Sequence, residues 1–376
     1  MPEQSRPIVI PASLRPVDGR FGCGPSKVRP EQVAALAGPG AGLLGTSHRQ
    51  APVRAVVQRI REGMEALFSL PDGYLVVLGV GGTTAFWEIA AFGLVERRSA
   101  HLSFGEFSAK FGRVTAAAPW LDDPAVTESE PGTHPQPRAQ AGADAYALTH
   151  NETSTGVAMP VQRVAGADPG ALVLVDATSG AGGLPVQAGE FDVYYFAPQK
   201  CFGSDGGLWL ALMSPAALER AERIAAGGRY IPEFLSLRTA IANARLQQTY
   251  NTPSLATLIL LDSQLAWLLG RGGLAWATAR TGESSRHLYE WAGKSPHATP
   301  FVADPRQRSQ VVGTIDFDAG IDAVRLAAVL RSNGIVDTES YRKLGRNQLR
   351  IGMFPSVDPA DVQALTACID FVIERM

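Results

Sequence analysis

Residues 171–200 read ALVLVDATSGAGGLPVQAGEFDVYYFAPQK. Two short apolar runs, 171–175 and 193–196, give way to polar or charged residues, the first at Asp176 and the second at Gln199 and Lys200. Runs of this length that are apolar throughout, rather than alternating, belong to strands covered on both faces in a parallel sheet. The two runs fit one strand–crossover–strand unit, which would bring Asp176 and Lys200 to one edge of the sheet. A buried carboxylate must be paired or put to chemical use, because an uncompensated buried charge is costly. The plainer alternative for Asp176 is a helix N-cap. Lysine is also scarce: the 34 basic residues include only Lys27, Lys110, Lys200, Lys294 and Lys343.

Working outward, YLVVLGVGG at 74–82 and AYALTHNET at 145–153 are further strand candidates. Helical periodicity marks PVRAVVQRIREGMEALFSL at 52–70 and TTAFWEIAAFGLV at 83–95. The alternation predicts an α/β fold with a mainly parallel central sheet and helices on both faces. The polar, proline-rich stretch 121–143 reads as a loop or an irregular edge excursion. A long helical pattern begins near 253, and SQVVGTIDF, AVRLAAVLRSNGI and NQLRIGMF then suggest a compact α+β unit. The last helix, within DPADVQALTACIDFVIERM, is expected to be capped by Asp358 or a neighbour. At 376 residues two domains are expected, a large one over 1–260 with an N-terminal arm and a smaller one over 261–376.

Composition is that of an ordinary globular chain, 45% hydrophobic and 19% charged, and a net charge of −2 gives no footprint for nucleic acid. The proline-interrupted start MPEQSRPIVIPASLRPVDGR has no apolar core of signal-peptide length, so a cytoplasmic location is expected. LATLILLDSQLAWLLG carries Asp262 and Gln264 in its middle and reads as a buried or interfacial helix, not a membrane span. Cys23, Cys201 and Cys368 are widely spaced without a CxxC, which predicts reduced thiols and no metal site.

After the strand at 74–82 comes GVGGTT, opening a helix. Glycines let backbone N–H groups approach an anion there, and a helix N-terminus favours negative charge. The spacing is neither GxGxxG nor GxxxxGK[ST], so a tight glycine turn is the bland reading. A lysine to bind an aldehyde covalently, an acid to keep a pyridine nitrogen protonated and a loop to hold a phosphate together point to pyridoxal phosphate. A nicotinamide-dependent oxidoreductase using the same glycines for its phosphates is the competing class, and it leaves Lys200 unexplained.

The motifs SHR at 47–49, GGTTAF at 81–86, NETSTG at 151–156, DxTS at 176–179, APQK at 197–200, YNTPS at 250–254 and LRIGMF at 349–354 occur in an order that resembles the phosphoserine aminotransferase family, over nearly the whole chain. The resemblance implies a class V aminotransferase of the type I pyridoxal-phosphate fold, active as a homodimer. Its implied reaction moves the amino group between L-glutamate and 3-phosphohydroxypyruvate, giving O-phospho-L-serine and 2-oxoglutarate, with 4-phosphooxy-L-threonine of vitamin B6 synthesis as a related substrate. It implies that Lys200 is the Schiff-base lysine and proton carrier and that Asp176 is the partner of the pyridine nitrogen. Gly82 and Thr83 would bind the cofactor phosphate, Thr153 and Gln199 would contact the cofactor, and Asn251 and Thr252 would reach the phosphate of the neighbouring subunit. Phe107 stands where the family commonly has a tryptophan on the cofactor ring. His48, Arg49 and Arg350 would hold the substrate anions, and a further basic residue among Arg342, Lys343 and Arg346 is left open. Other class V enzymes, such as an alanine–glyoxylate aminotransferase or a cysteine desulfurase, are disfavoured by SHR and LRIGMF.

Overall fold

The computed structural model describes residues 7–376, so the first six residues of the N-terminal stretch weighed above lie outside it. In chain order it runs α1 Pro30–Ala37, α2 Ala51–Phe68, β1 Leu75–Gly81, α3 Thr83–Gly93, β2 Ser99–Ser103, α4 Glu106–Ala117, β3 Ala125–Glu128 and β4 Ala145–Thr149. A short hairpin of β5 Asn151–Glu152 and β6 Val157–Ala158 follows, then β7 Leu172–Asp176, β8 Val193–Phe196, β9 Gly207–Met213, α5 Pro215–Ala226, α6 Leu237–Arg245, α7 Leu255–Arg271 and α8 Gly273–Lys294. The chain closes with β10 Ala298–Pro300, β11 Val312–Phe317, α9 Ala323–Ser332, β12 Gln348–Gly352 and α10 Pro359–Ile373.

Seven strands form the large sheet in the order β1-β9-β8-β7-β4-β2-β3. All its neighbouring pairs are parallel except the two made by β9, which runs against both β1 and β8. The α/β expectation with a mainly parallel sheet holds. Two strands are additions to the sequence reading: β9, lying between β1 and β8, and β2, next to the edge. The stretch 121–143 does carry an edge element, the four residues of β3.

Both faces of this sheet are covered, which is why its strands are apolar throughout. In β9, Leu208, Leu210 and Leu212 enter one core with α2 and α7, while Trp209, Ala211 and Met213 enter the opposite core with α3, α5 and α6. Helix α2 presents Val53, Val56, Val57, Ile60, Met64 and Leu67 to that interior at helical spacing, and the chain leaves it through Ser69 at φ +48°. Gly79 of β1 lies under Trp209, where an added Cβ would fall 2.3 Å from the indole. A third core joins α8, α9 and α10 to the three-stranded sheet β10-β11-β12, with Ile10 and Phe21 of the N-terminal stretch packed into it. Asp358 caps α10 as expected, accepting the Ala360 N–H. Helix α7, the apolar stretch with Asp262 and Gln264, buries Thr257 to Leu261, Gln264, Leu265 and Leu268, and among the described residues no helix is long and apolar enough to cross a membrane. Cys23, Cys201 and Cys368 are free and buried.

The register decides where function can sit. Asp176 lies opposite Tyr195 across the parallel β7–β8 pair, and Gly81 lies opposite Gly207 across the antiparallel β1–β9 pair. The carboxyl ends of β1, β7 and β8 and the amino end of β9 thus share one edge, and the connection from β8 to β9 carries Gln199 and Lys200 along it. In open α/β sheets, ligands collect at that edge.

Candidate active site

Asp176 ends β7 almost fully buried. Its Oδ1 accepts from the Thr178 N–H at 3.0 Å and the Thr178 hydroxyl at 2.6 Å, and its Oδ2 accepts from the Trp87 indole N–H at 3.1 Å. With the Thr178 hydroxyl donating to the carboxylate, the Thr83 hydroxyl 2.7 Å away must donate to Thr178. Thr83 and Trp87 lie one helical turn apart on α3, so one face of that helix reaches both the carboxylate and its supporting threonine. Burial pushes the Asp176 carboxyl above its ordinary value, while the Thr178 and Trp87 hydrogen bonds pull the other way. Among the described residues no lysine, arginine or histidine forms an ion pair with it.

Lys200 lies half-buried in the turn after β8, and its Nζ donates to the Cys23 carbonyl at 2.5 Å. The N-terminal stretch is tied to this turn: the Ser26 N–H donates to the Gln199 carbonyl at 2.8 Å and the Ser26 hydroxyl donates to the Lys200 carbonyl. Gly24, at φ +139°, is where the amine passes, and a Cβ there would meet Nζ at 1.9 Å. Burial, assisted by the charge of Arg350, lowers the Lys200 amine from 10.5 to about 8. Burial pushes the neighbouring Cys201 thiol far up, which leaves it inert.

The NETSTG segment forms the floor. The Thr153 hydroxyl and the Asn151 amide both donate to the Ser179 hydroxyl, at 2.7 and 2.8 Å. Fully buried Glu152 accepts the Phe107 and Ser108 N–H groups at 3.1 and 2.8 Å, which caps α4 and fixes Phe107 in its first turn. Arg350, paired with Thr314 across β11 and β12, brings NH1 to the Thr153 carbonyl at 3.1 Å, and its Nε is buried with no partner.

Gly82, Thr83, Phe107, Thr153, Asp176, Gln199, Lys200 and Arg350 are thus positioned around one edge of the sheet. His48, Arg49, Asn251 and Thr252 form a second group. The Thr252 hydroxyl and His48 Nδ1 are 3.1 Å apart, exposed Arg49 donates to Gln248 at 3.1 Å, and among the described residues no hydrogen bond joins this group to Asp176, Gln199, Lys200 or Arg350. Trp87, Thr178, Ser179, Glu152 and the Cys23 carbonyl were not singled out by sequence. Trp87 was findable, since TTAFW places it four residues after Thr83. Of the three basic residues left open, Lys343 is bound to Glu106 at 2.6 Å and Arg346 to Asp316, while Arg342 makes no ion pair among the described residues.

Comparison with known proteins gives four findings. The family model Aminotransferase class-V matches residues 137–342. The phosphoserine aminotransferase of Nocardioides sp. is 64% identical over 368 residues, 98% of each chain. Among solved structures, a phosphoserine aminotransferase of Cytophaga hutchinsonii superposes with a TM-score of 0.85 at 23% identity, over 94% of this chain and 99% of that one. A pyridoxal-phosphate-bound phosphoserine aminotransferase of Trichomonas vaginalis superposes at 0.78 and 18% identity, over 94% and 99%.

The residues at the sheet edge fit pyridoxal phosphate. The Asp176 carboxylate lacks a cation and would take the protonated ring nitrogen. Helix α3 begins at Gly82 with N–H groups that have no intrahelical partner, and a Cβ built on Gly82 would meet nothing within 4 Å, so the space before this helix is open to a phosphate. Gln199 Oε1 and Arg350 Nε are buried polar atoms with no partner in the chain alone.

The depressed lysine makes a pH-dependent expectation. An amine lowered from 10.5 to about 8 loses its proton over a lower range when folded, so it destabilises the fold below about pH 8, and stability returns as pH rises from about 8 to 10.5. Acylation of Lys200 in cofactor-free protein, followed by mass spectrometry across pH, should show half-maximal rate near pH 8. A midpoint near 10.5 would contradict the burial described here.

Proposed function

The chain belongs to the class V aminotransferases, within their phosphoserine aminotransferase family, and on that premise we propose that it exchanges the amino group between L-glutamate and 3-phosphohydroxypyruvate, giving 2-oxoglutarate and O-phospho-L-serine. The observation that carries the reading is that Asp176, at the end of β7, and Lys200, in the turn after the adjacent parallel strand β8, lie along one sheet edge, the acid without an ion pair among the described residues and the amine lowered by burial. Pyridoxal phosphate, when bound, supplies the carbonyl that takes up the amino group and the conjugated ring that accepts electrons released at the substrate α-carbon.

The chain's own groups divide the remaining work. The Asp176 carboxylate keeps a proton on the ring nitrogen, and Trp87 and Thr178 hold that carboxylate in one orientation. Lys200, with a neutral fraction at physiological pH, attaches the cofactor and carries the proton at the substrate α-carbon. Gly82 and Thr83 would hold the phosphate, Thr153 and Gln199 would contact the cofactor, and Phe107 would lie against its ring. Arg350 presents a guanidinium to a substrate carboxylate, and Arg342, the unpaired cation of its segment, is assigned to the second anionic end.

The reading includes a homodimer with shared sites. Its support is the second cluster: His48, Arg49, Asn251 and Thr252 have the chemistry of anion ligands but, among the described residues, no hydrogen bond to the Lys200 group of their own chain. Beside them, Tyr250, Phe234, Leu246 and Tyr230 are 41%, 48%, 54% and 83% exposed, an apolar surface suited to a second copy.

The test of the reaction is transamination with glutamate as donor and hydroxypyruvate, phosphorylated or not, as acceptor. The phosphorylated acceptor should be preferred by tenfold or more, since losing a buried charge-assisted contact costs about 2–5 kcal/mol and each decade is about 1.4 kcal/mol. Equal rates with both acceptors would contradict the substrate assignment. Site sharing is tested by mixing Lys200→Ala with Arg49→Ala. If Arg49 serves the partner's site, each heterodimer regains one intact site, and a random mixture recovers about a quarter of wild-type activity. No recovery would place Arg49 in its own chain's site.

A further inference from the structure

The segment between α9 and β12 carries Tyr341, which lies against two residues of the sheet-edge group. The Tyr341 ring lies 5.9 Å from the Phe107 ring, tilted by 54°, and the Arg350 guanidinium sits 5.2 Å over the same tyrosine. Two residues on, Lys343 Nζ is 2.6 Å from Glu106 Oε1, at the first residue of α4 and next to Phe107. Lys110 Nζ also lies 4.9 Å from the Phe107 ring centroid. On the β12 side, the Arg350 N–H donates to the Thr338 carbonyl at 2.9 Å and Glu339 bridges Leu349, so the segment is registered to the strand that carries the arginine.

Arg350 has few other restraints. One nitrogen reaches the Thr153 carbonyl, Nε has no partner, and among the described residues the side chain makes no ion pair. A guanidinium left with that freedom would sample several rotamers, and each would cost affinity for a carboxylate. The face of an aromatic ring restrains it without consuming a donor, so the N–H fork stays available.

We propose that Tyr341 is a positioning residue for substrate binding: its ring fixes the Arg350 guanidinium and closes the wall begun by Phe107, and the Lys343–Glu106 pair anchors the segment that carries it. The inference rests on the function proposed above and assigns Tyr341, Lys343 and Glu106 roles within that site. The ion pair is an anchor and not a large source of stability, because Lys343 is largely exposed. Tyr341 acts through its ring: no hydrogen bond is made by its hydroxyl among the described residues.

The test compares cofactor-loaded wild type with Tyr341→Leu, which keeps apolar bulk without a π face, and Tyr341→Phe, which keeps the face without the hydroxyl. Glutarate, a dicarboxylate that cannot transaminate, is titrated into each while visible absorbance is followed, and KM and kcat are measured with glutamate. In Tyr341→Leu the glutarate Kd and glutamate KM should rise roughly threefold to thirtyfold, the span of an aromatic–guanidinium contact, with kcat less affected. Tyr341→Phe should return both to within about twofold of wild type. Glu106→Gln should move both in the same direction by less. A Tyr341→Leu protein with wild-type Kd and KM, an effect confined to kcat, or a Tyr341→Phe protein as impaired as Tyr341→Leu would overturn the proposal. A wild type that binds glutarate but does not transaminate with glutamate would overturn the proposed function with it.

Discussion

A carboxylate that the fold buries without a cation governs this structure. Asp176 sits at the end of a strand covered on both faces, where an uncompensated charge destabilises the protein by several kcal/mol. Three donors soften that cost, two from Thr178 and one from Trp87, yet none carries a positive charge. A site built this way is incomplete until something cationic arrives. The same edge supplies the other requirements of such a guest: an open helix N-terminus for its phosphate and a lysine whose amine burial has brought close to neutral. Stability given up in the empty protein is recovered as affinity for the cofactor.

The topology makes that edge possible. Because β9 runs antiparallel between β8 and β1, the chain turns back at once, and Lys200 stays in the short connection beside Asp176. Strand β1, antiparallel to β9 on its other side, runs parallel to β7 and β8, so its carboxyl end, with Gly82 and Thr83, shares that edge. The N-terminal stretch then closes over the lysine through Cys23, Gly24 and Ser26, which joins a segment at one end of the sequence to chemistry near its middle.

Much of this was legible in sequence, and the parts that were not have physical causes. The strand ends carrying Asp176 and Lys200 stood out because charge after an apolar run is rare and demands a reason. Helices α2 and α3 and the Asp358 cap follow from spacing and end signals alone. Strand β2, SAHLS, was illegible because its burial is polar: His101 Nε2 lies 2.8 Å from the Ser99 hydroxyl and 3.0 Å from the Thr115 hydroxyl, while Nδ1 is buried without a partner, and no apolar run marks the strand. Burial lowers His101 to about 3, and the ring stays neutral. Trp87 reads as one more core aromatic until its indole N–H is seen against the carboxylate. Tyr341 escaped notice because its partners, Phe107 and Arg350, meet only in space. His48, Arg49, Asn251 and Thr252 were singled out by resemblance, and among the described residues no hydrogen bond joins them to Lys200.

The account stands on Lys200 as the residue that takes the cofactor. The most direct measurement is to load the protein with pyridoxal phosphate, reduce it with borohydride, digest it and locate the modified lysine by mass spectrometry. The account predicts one stoichiometric adduct, on the peptide that contains Lys200, and its loss in Lys200→Ala. An adduct on Lys27, Lys110, Lys294 or Lys343, or none at saturating cofactor, would contradict it.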